Sequence, residues 1–521
     1  MQASRVGACS VFTALALSAP AQAVNWRFTP SIGSTVTFSD NVNQSANNEE
    51  TGGSLSLTPG FTLQSLGSRR VRANVGYNMS AVTRFGGNSD NDLFHNLGAS
   101  LKSEVVEDFF FVDANASVSQ QLISLFGSPA DASVNDSNRA TVGTFSISPY
   151  IQKRLGTFAN LQARYTGGGA IFSDNAASNS NINAFSAGLT SGTQFNDLSW
   201  GLNYSIREAN NRDVSDSTFE SAVVTLGYAL SRKFRVFGTL GEDRNDFISA
   251  NETDGSSYSL GFGWSPSRRT SIEMSAGERF FGKTFSFTGR HQTRRAQWSA
   301  SYSEDVSDIS NQFISESDKT YWVCVVSDGG AVPPATENTE VRAYRTDFFP
   351  VAPFPSCLPQ PATPSELLGL GVSFESLLSA GGFLASTVNG VYIIKSLSAG
   401  VTWNIRRLDL GLTLRDSKRL YQLLGDAQDE IQSVTASASY RLSPKTRVNS
   451  SLSLTRNSAD ALLNSGVERD DDIATLSLGL SHRFADKLNG ALTFRHTQRD
   501  SNAANADYDE NSLSASVNMR F

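Results

Sequence analysis

The chain has 521 residues, a formal net charge of −7 and only 39% hydrophobic residues, yet it carries 33 Phe, 13 Tyr, 6 Trp and 41 Gly. So many aromatic residues exclude an intrinsically disordered protein, and a soluble protein of this length normally has a higher hydrophobic content. Low hydrophobicity combined with many aromatic residues is typical of a membrane barrel with one apolar face and one wet face.

The N-terminus has the pattern of a secretory signal peptide. Arg5 supplies positive charge, residues 11–17 form a short apolar core, and Ala21-Gln22-Ala23 is a small-residue cleavage site. We therefore expect a signal peptide at residues 1–23, removed together with Cys9, and a mature chain from Val24. The apolar core is too short to cross a bilayer, and no later stretch approaches about 18 uninterrupted apolar residues, which excludes a helical membrane protein.

Alternation of apolar and polar residues dominates the chain from Trp26 to Phe521. In the first segment Trp26, Phe28 and Val36 share one face, while Arg27 and Thr37 share the other. A period of two predicts strands. Counting such segments gives about 22 strands (range 18–24), with about fifteen before one long insertion and about seven after it. The predicted fold is all-β: a transmembrane, antiparallel, up-and-down β-barrel over residues 24–521.

Short and long connections alternate between these strands. Residues 67–70 and 231–233 are short turns, whereas residues 40–53 and 242–257 form long loops. Short periplasmic turns and long outer loops characterise outer-membrane barrels, whose sheets must close because no open edge is tolerated in lipid. The cell outer membrane of a Gram-negative bacterium is therefore the expected location, with its lipid and lipopolysaccharide as partners.

Charged residues follow the same division. The predicted short turns are basic, and the predicted long loops are acidic. The basic set is Arg69, Arg70, Lys153, Arg154, Arg268, Arg269, Arg406 and Arg407, and the acidic set is Glu49, Glu50, Asp426, Asp429, Glu430, Asp470, Asp471 and Asp472. Ordinary solvated loops explain this division, and so does bridging of the acidic loops to lipopolysaccharide by divalent cations.

Residues 308–386 interrupt the barrel pattern. This insertion holds many prolines and the two mature cysteines, Cys324 and Cys357, which either form a disulfide or remain unpaired loop thiols. Ser365 could cap a short helix. The insertion is either a plug or lid of the lumen or an extracellular loop pinned at the surface.

The last strand carries a specific pattern. Leu513, Val517 and Met519 alternate with small polar residues, and the chain ends in Phe521. A terminal Phe after such a strand resembles the signal read by the outer-membrane barrel assembly machinery, which we expect as a partner.

The sequence contains few residues in patterns that are typical of catalytic or ligand-binding sites. No nucleophile elbow, zinc-binding HExxH or phosphate-loop motif is found. A barrel enzyme would need His482 or His496 beside Ser, Asp or Glu at one rim, but both lie on the apolar-face parity. We expect no catalytic residues, no cofactor, no metal site and no nucleic-acid partner.

A further set of charged residues takes positions on the polar face, where they would solvate the lumen or select anionic solutes. The set is Arg72, Arg84, Glu273, Arg279, Arg415, Arg483, Arg495 and Arg520.

Nearly the whole mature chain resembles the outer-membrane β-barrel proteins associated with PEP-CTERM/exosortase systems. The resemblance is carried by the opening from Trp26 to Val42, by residues 263–270 (GWSPSRRT), 277–283 (GERFFGK) and 302–305 (YSED), and by the strand near residues 394–397 (IKSL). It implies association with an exopolysaccharide and protein-sorting system, as an export channel or as a docking site for periplasmic partners. The alternatives are a general or solute-specific porin and, third, a lipid- or protein-modifying barrel enzyme.

Overall fold

A computed structural model describes residues 24–86, 91–124, 126–127, 138–173, 178–212, 215–309, 311, 321–325, 341–345, 357, 390–423, 425, 427–464 and 466–521. The expected signal peptide at residues 1–23, Cys9, Asp426 and the helix predicted after Ser365 lie outside these residues. Among the described residues, no helix is both long enough and apolar enough to cross a membrane.

The chain forms strands almost throughout. The strands before the insertion are β1 (Asn25–Ser39), β2 (Gly52–Leu66), β3 (Val71–Phe85), β4 (Asn91–Val106), β5 (Phe110–Leu122), β6 (Arg139–Leu155), β7 (Ala159–Phe172), β8 (Ser180–Ser191), β9 (Leu198–Asn211), β10 (Ser217–Ser231), β11 (Phe234–Asp246), β12 (Gly255–Ser267), β13 (Thr270–Arg279), β14 (Gly282–Gln292) and β15 (Ala296–Asp308). The insertion contains β16 (Tyr321–Val325) and β17 (Val341–Arg345). The remaining strands are β18 (Val391–Ile405), β19 (Leu408–Tyr421), β20 (Ala427–Ser443), β21 (Thr446–Ala459), β22 (Arg469–Ala485), β23 (Leu488–Ser501) and β24 (Tyr508–Arg520).

All strands except β16 and β17 belong to one antiparallel sheet of 22 strands, which closes on itself. Closure is made by β1 and β24, which pair from Ser31 opposite Arg520 to Ser39 opposite Ser512. The backbone N–H of Phe521 donates to the Pro30 carbonyl at 3.0 Å. The predicted barrel is confirmed, with fifteen of its strands before the insertion and seven after it.

The two faces of the barrel follow from the alternation. On β1, Phe38 is 54% exposed whereas its neighbour Thr37 is fully buried, so the apolar series points outward and the polar series points inward. Residues directly paired across an antiparallel sheet share a face, which extends this assignment strand by strand around the barrel. We call the outward series the lipid face and the inward series the lumen face.

The two ends of the barrel differ in their connections. At one end short turns such as residues 232–233 and 406–407 join the strands, and Gly156, with φ +61°, takes a backbone conformation that favours glycine in one of them. Register shifts lie beside several of these turns, as is common at barrel rims. The other end carries the longer loops and the insertion, which leaves β15 after Asp308 and returns at Val391. We call it the outer end.

Several predicted loop boundaries were wrong. The strand β11 continues to Asp246 and β12 begins at Gly255, so the loop predicted at residues 242–257 is shorter. Likewise Asp429 and Glu430 lie in β20, residues 470–472 lie in β22, and Lys153 and Arg154 lie in β6. The reason is that the backbone ladders continue beyond the apolar band into water, where a strand can carry charge on either face.

Candidate functional site

The lumen face is polar and carries ion pairs within the wall. All the charged residues predicted for this face take its parity. Arg279 donates to Asp243 (3.1 Å) and Asp305 (3.0 Å), Arg84 pairs with Asp92, and Arg235 pairs with Glu273. Between these pairs, hydroxyl groups bond across strands, as Thr37 does with Ser514 at 3.0 Å. A water-filled passage requires such a surface.

A buried polar cluster lies on the lumen face near the outer end of β18 to β20. Arg419, whose side chain is 4% exposed, donates two hydrogen bonds to Asp429, at 2.7 and 2.5 Å. The Tyr421 hydroxyl donates to the same carboxylate at 3.0 Å, and the ring of Tyr392 lies 5.5 Å from that of Tyr421. The parallel, two-point contact between guanidinium and carboxylate fixes this end of the wall.

A first contact across the outer mouth joins the β5–β6 loop to β22 and β23. Arg499 donates to the carbonyls of Phe126 (2.7 Å) and Gly127 (3.0 Å), and Arg469 donates to Phe126 (3.1 Å). The fully buried carboxylate of Asp471 pairs with both guanidinium groups. Since β24 and β1 to β4 separate these elements in the sheet, the contact bridges two distant parts of the wall.

A second contact begins where β15 ends. Asp308 pairs with Arg207 on β9, although β10 to β14 lie between them in the sheet. The next residue, Ile309, joins a buried cluster with Val142 of β6 and Phe172 of β7. The chain therefore leaves β15 directed towards the facing wall.

A third contact joins two outer loops. The backbone N–H of Ala250, in the β11–β12 loop, donates to the carbonyl of Gln422, which follows β19, at 3.1 Å. We call these three sets of interactions the mouth contacts. Together they bridge the outer end of the lumen between strands that are not neighbours, so this mouth is narrower than the barrel wall alone would make it.

The four histidines all lie on the lipid face, as predicted for His482 and His496. His482 Nδ1 lies 2.9 Å from Thr446 Oγ1, near a short turn, and His496 Nδ1 lies 3.0 Å from Asn511 Oδ1. On β22, His482 stands six residues from Leu476, the partner of His496, a separation of about 20 Å along the strand. The two rings therefore do not share one rim site.

Aromatic residues on the lipid face mark its outer boundary. The hydroxyls of Tyr204 and Tyr258 donate to Glu220 (3.0 Å) and Glu278 (2.9 Å), side chains on the same face. An aromatic girdle with its polar tips in the interface is the expected edge of the lipid-facing band.

In the insertion, β16 and β17 form a separate two-stranded sheet, and a disulfide joins Cys324 to Cys357. Among the described residues, no group of three or more His, Cys, Asp or Glu could hold a metal ion.

The sequence did not reveal the mouth contacts. Arg207 and Arg499 follow the lumen parity, so their face could have been read from the alternation. Asp471 was instead assigned to a loop, and nothing local indicates that Phe126 lies beside it. The one available signal is that Asp471 is a carboxylate on the lumen parity near the outer end of β22, whereas the parity of Asp308 gives no such signal, because Asp308 shares the face of Trp298 and Tyr302 in β15.

No protein-family model and no curated protein matches the chain. Its fold is similar to that of the FrpB iron transporter from Neisseria meningitidis in its apoprotein form, at 12% identity and a TM-score of 0.50, covering 95% of this chain and 81% of that one. The siderophore receptor PirA from Acinetobacter baumannii matches at 9% identity and a TM-score of 0.49, over 96% of this chain and 81% of its own.

At such identities the similarity shows the fold alone, and it rests on the match with the TM-score of 0.50. A closed sheet with a continuous apolar outer face and a polar interior can exist only across a membrane, and barrels of this size are outer-membrane proteins. The chain is therefore a Gram-negative outer-membrane protein.

Proposed function

We propose that this protein is a non-enzymatic transport barrel of the outer membrane, with a passage that the mouth contacts hold closed at rest. The observation that carries the proposal is the pair of Arg469 and Arg499 bound to the β5–β6 loop across the mouth. A permanently open pore gains nothing from such buried interactions, since placing charges away from water costs free energy unless they are paired.

We further propose that the cargo belongs to an exopolysaccharide system of the PEP-CTERM/exosortase type. The sequence resemblance supports this assignment, and so does the lumen face, whose arginines and hydroxyl groups suit an anionic, hydrated polymer. The barrel would act there as an export channel or as a docking site for periplasmic export partners.

Conductance in planar bilayers tests the closed passage. We expect low conductance from the unmodified protein and a clear increase in open events from the double variant Arg207→Ala with Arg499→Ala, which removes one arginine from each of two mouth contacts. The matched control is Arg235→Ala, which removes a lumen-face arginine paired with Glu273 within the wall. An equal increase in the control would contradict the proposal.

The rival function is a general porin, which the polar lumen face favours. It requires stable, high conductance from the unmodified protein, so the same recording separates the two. The export assignment is tested by deleting the gene and measuring surface polysaccharide and surface proteins. Unchanged secretion and surface composition would remove that assignment while leaving the barrel as a transporter of another cargo.

A further inference from the structure

A groove of about 550 Å³ opens on the lipid face of the barrel, where the apolar band gives way to charged residues. Its apolar floor consists of four lipid-face side chains that are 36 to 50% exposed: Leu397, Leu414, Val434 and Leu454. Most of its lining residues lie on the lipid face, and none of them belongs to the mouth contacts. Its size lies within the range of about 300–1,000 Å³ that is typical of ligand sites.

A single row of paired residues forms the outer edge of this groove. Asp416 pairs with Gln432, Gln432 with Arg456, Arg456 with Asp472, and Asp472 with Asp500, across five consecutive strands. Directly paired residues share a face, so the whole row points outward. The groove thus has an apolar floor towards the membrane core and a charged edge towards the outer surface.

Arg456 is the cation of this row, and its guanidinium is accessible. It lies 3.9 Å from the carboxylates of both Asp470 and Asp472, and its side chain is 55% exposed. At 3.9 Å neither contact is a hydrogen bond. The guanidinium can therefore direct two of its N–H groups at a phosphate without first breaking a hydrogen bond to either aspartate.

The position of the groove selects the class of its occupant. A ligand that fills the groove must place an apolar chain on the apolar floor and a charged headgroup at the edge, facing the outer leaflet. A phosphate would meet Arg456, but the neighbouring carboxylates Asp472 and Asp500 would repel it. A divalent cation removes this repulsion, because carboxylate and phosphate oxygens are ligands of the same hard cations.

We propose that the groove binds a phosphorylated glycolipid of the outer leaflet, lipopolysaccharide, with an acyl chain on the floor and a phosphate held by Arg456 and by a divalent cation shared with Asp472 and Asp500. The site gives the barrel a fixed lipid neighbour on the side formed by β18 to β23. It does not depend on the proposed transport role.

The test uses native mass spectrometry to measure the binding of deep-rough lipopolysaccharide to the delipidated protein in detergent with Mg²⁺. Loss of a charge-assisted contact should weaken binding about tenfold in Arg456→Ala. The matched control is Arg244→Ala, an exposed lipid-face arginine of β11 paired with Glu242 and remote from the groove. Equal affinity in the two variants would overturn the proposal.

Further arms examine each part of the ligand. Dephosphorylated lipopolysaccharide and EDTA should each abolish the difference between the unmodified protein and Arg456→Ala. The variant Val434→Trp should fill the groove and exclude the acyl chain, while remaining folded because residue 434 already points outward. Binding that survives both Val434→Trp and EDTA would also contradict the site. Retained heat-modifiable migration on gels confirms that each variant is folded.

Discussion

At the scale of single residues, the role of a charged side chain depends more on whether it lies on the lumen face or on the lipid face than on its residue type. Asp429 and Asp471 are buried on the lumen face against arginines, whereas the adjacent Glu430 and Asp470 point outward. A step of one residue reverses the direction of a side chain in a strand. Carboxylates on the lumen face therefore serve as partners of buried arginines, whereas carboxylates on the lipid face remain surface charges.

Substitution of Asp429 by alanine tests the buried cluster. The change leaves Arg419 buried without the carboxylate that accepts two of its hydrogen bonds, and breaking a buried pair in this way typically costs about 3–5 kcal/mol. We expect a correspondingly lower free energy of unfolding, measured by guanidinium titration in detergent micelles.

The control for this measurement is Glu242→Ala. Glu242 pairs with Arg244 on the exposed outer surface, with both side chains more than half exposed. Exposed pairs contribute little, so the unfolding midpoint should not move. Similar losses in the two variants would mean that the Arg419 cluster is not a structural anchor.

At the scale of the strand, the alternation predicted most of the architecture. The number and order of strands, and the face of residues such as Arg84 and Arg279, follow from a period of two. Boundaries at the outer end were missed because a strand in water no longer needs an apolar face, as in β11 from Glu242 to Asp246.

The mouth contacts lay beyond the reach of the sequence for a different reason. Alternation assigns Arg207 to the lumen, but it contains no information about which distant strand faces it. The partnership of Arg207 with Asp308 depends on the curvature of the closed sheet and on the position at which β15 ends. Such contacts are a property of the assembled barrel.

Removal of Phe521 tests the last strand as an assembly signal. This residue lies on the lipid face, 56% exposed, and its backbone N–H closes the barrel against Pro30. We expect the deletion to remove most of the folded protein from outer-membrane fractions, measured as the heat-modifiable band.

The matched control is Phe484→Ala. Phe484 is 57% exposed and lies on the lipid face at the same end of β22, but it is not terminal. If both changes reduce assembly equally, an exposed aromatic ring at this rim would suffice and the terminal position would carry no signal.

At the scale of the whole molecule, closure makes the membrane itself part of the fold. No strand of the 22-stranded sheet is left as an edge, because β1 and β24 pair with each other. Many apolar side chains on the outside remain more than a third exposed, and this surface is stable in lipid rather than in water.

The pair Leu412→Arg and Thr413→Arg tests this assignment of faces. Leu412 is 43% exposed on the lipid face, and its neighbour Thr413 points into the lumen. An arginine near the middle of the bilayer costs about 2–4 kcal/mol on the lipid face, whereas lumen substitutions are tolerated. Unfolding titrations in lipid vesicles should show the loss only for Leu412→Arg. A loss of stability for Thr413→Arg but not for Leu412→Arg would mean that the lipid face and the lumen face have been assigned the wrong way round.

The outward direction of every histidine has a consequence for the interior. Imidazole is the side chain that ordinarily changes charge between pH 5 and 8, and His95, His291, His482 and His496 are the only four in the chain. With none of them on the lumen face, the fixed charges of that face come from arginine, lysine, aspartate and glutamate. The ion preference of the proposed passage should therefore stay constant from mildly acidic to neutral pH, and conductance recordings at pH 5 and pH 7 should give the same open frequency.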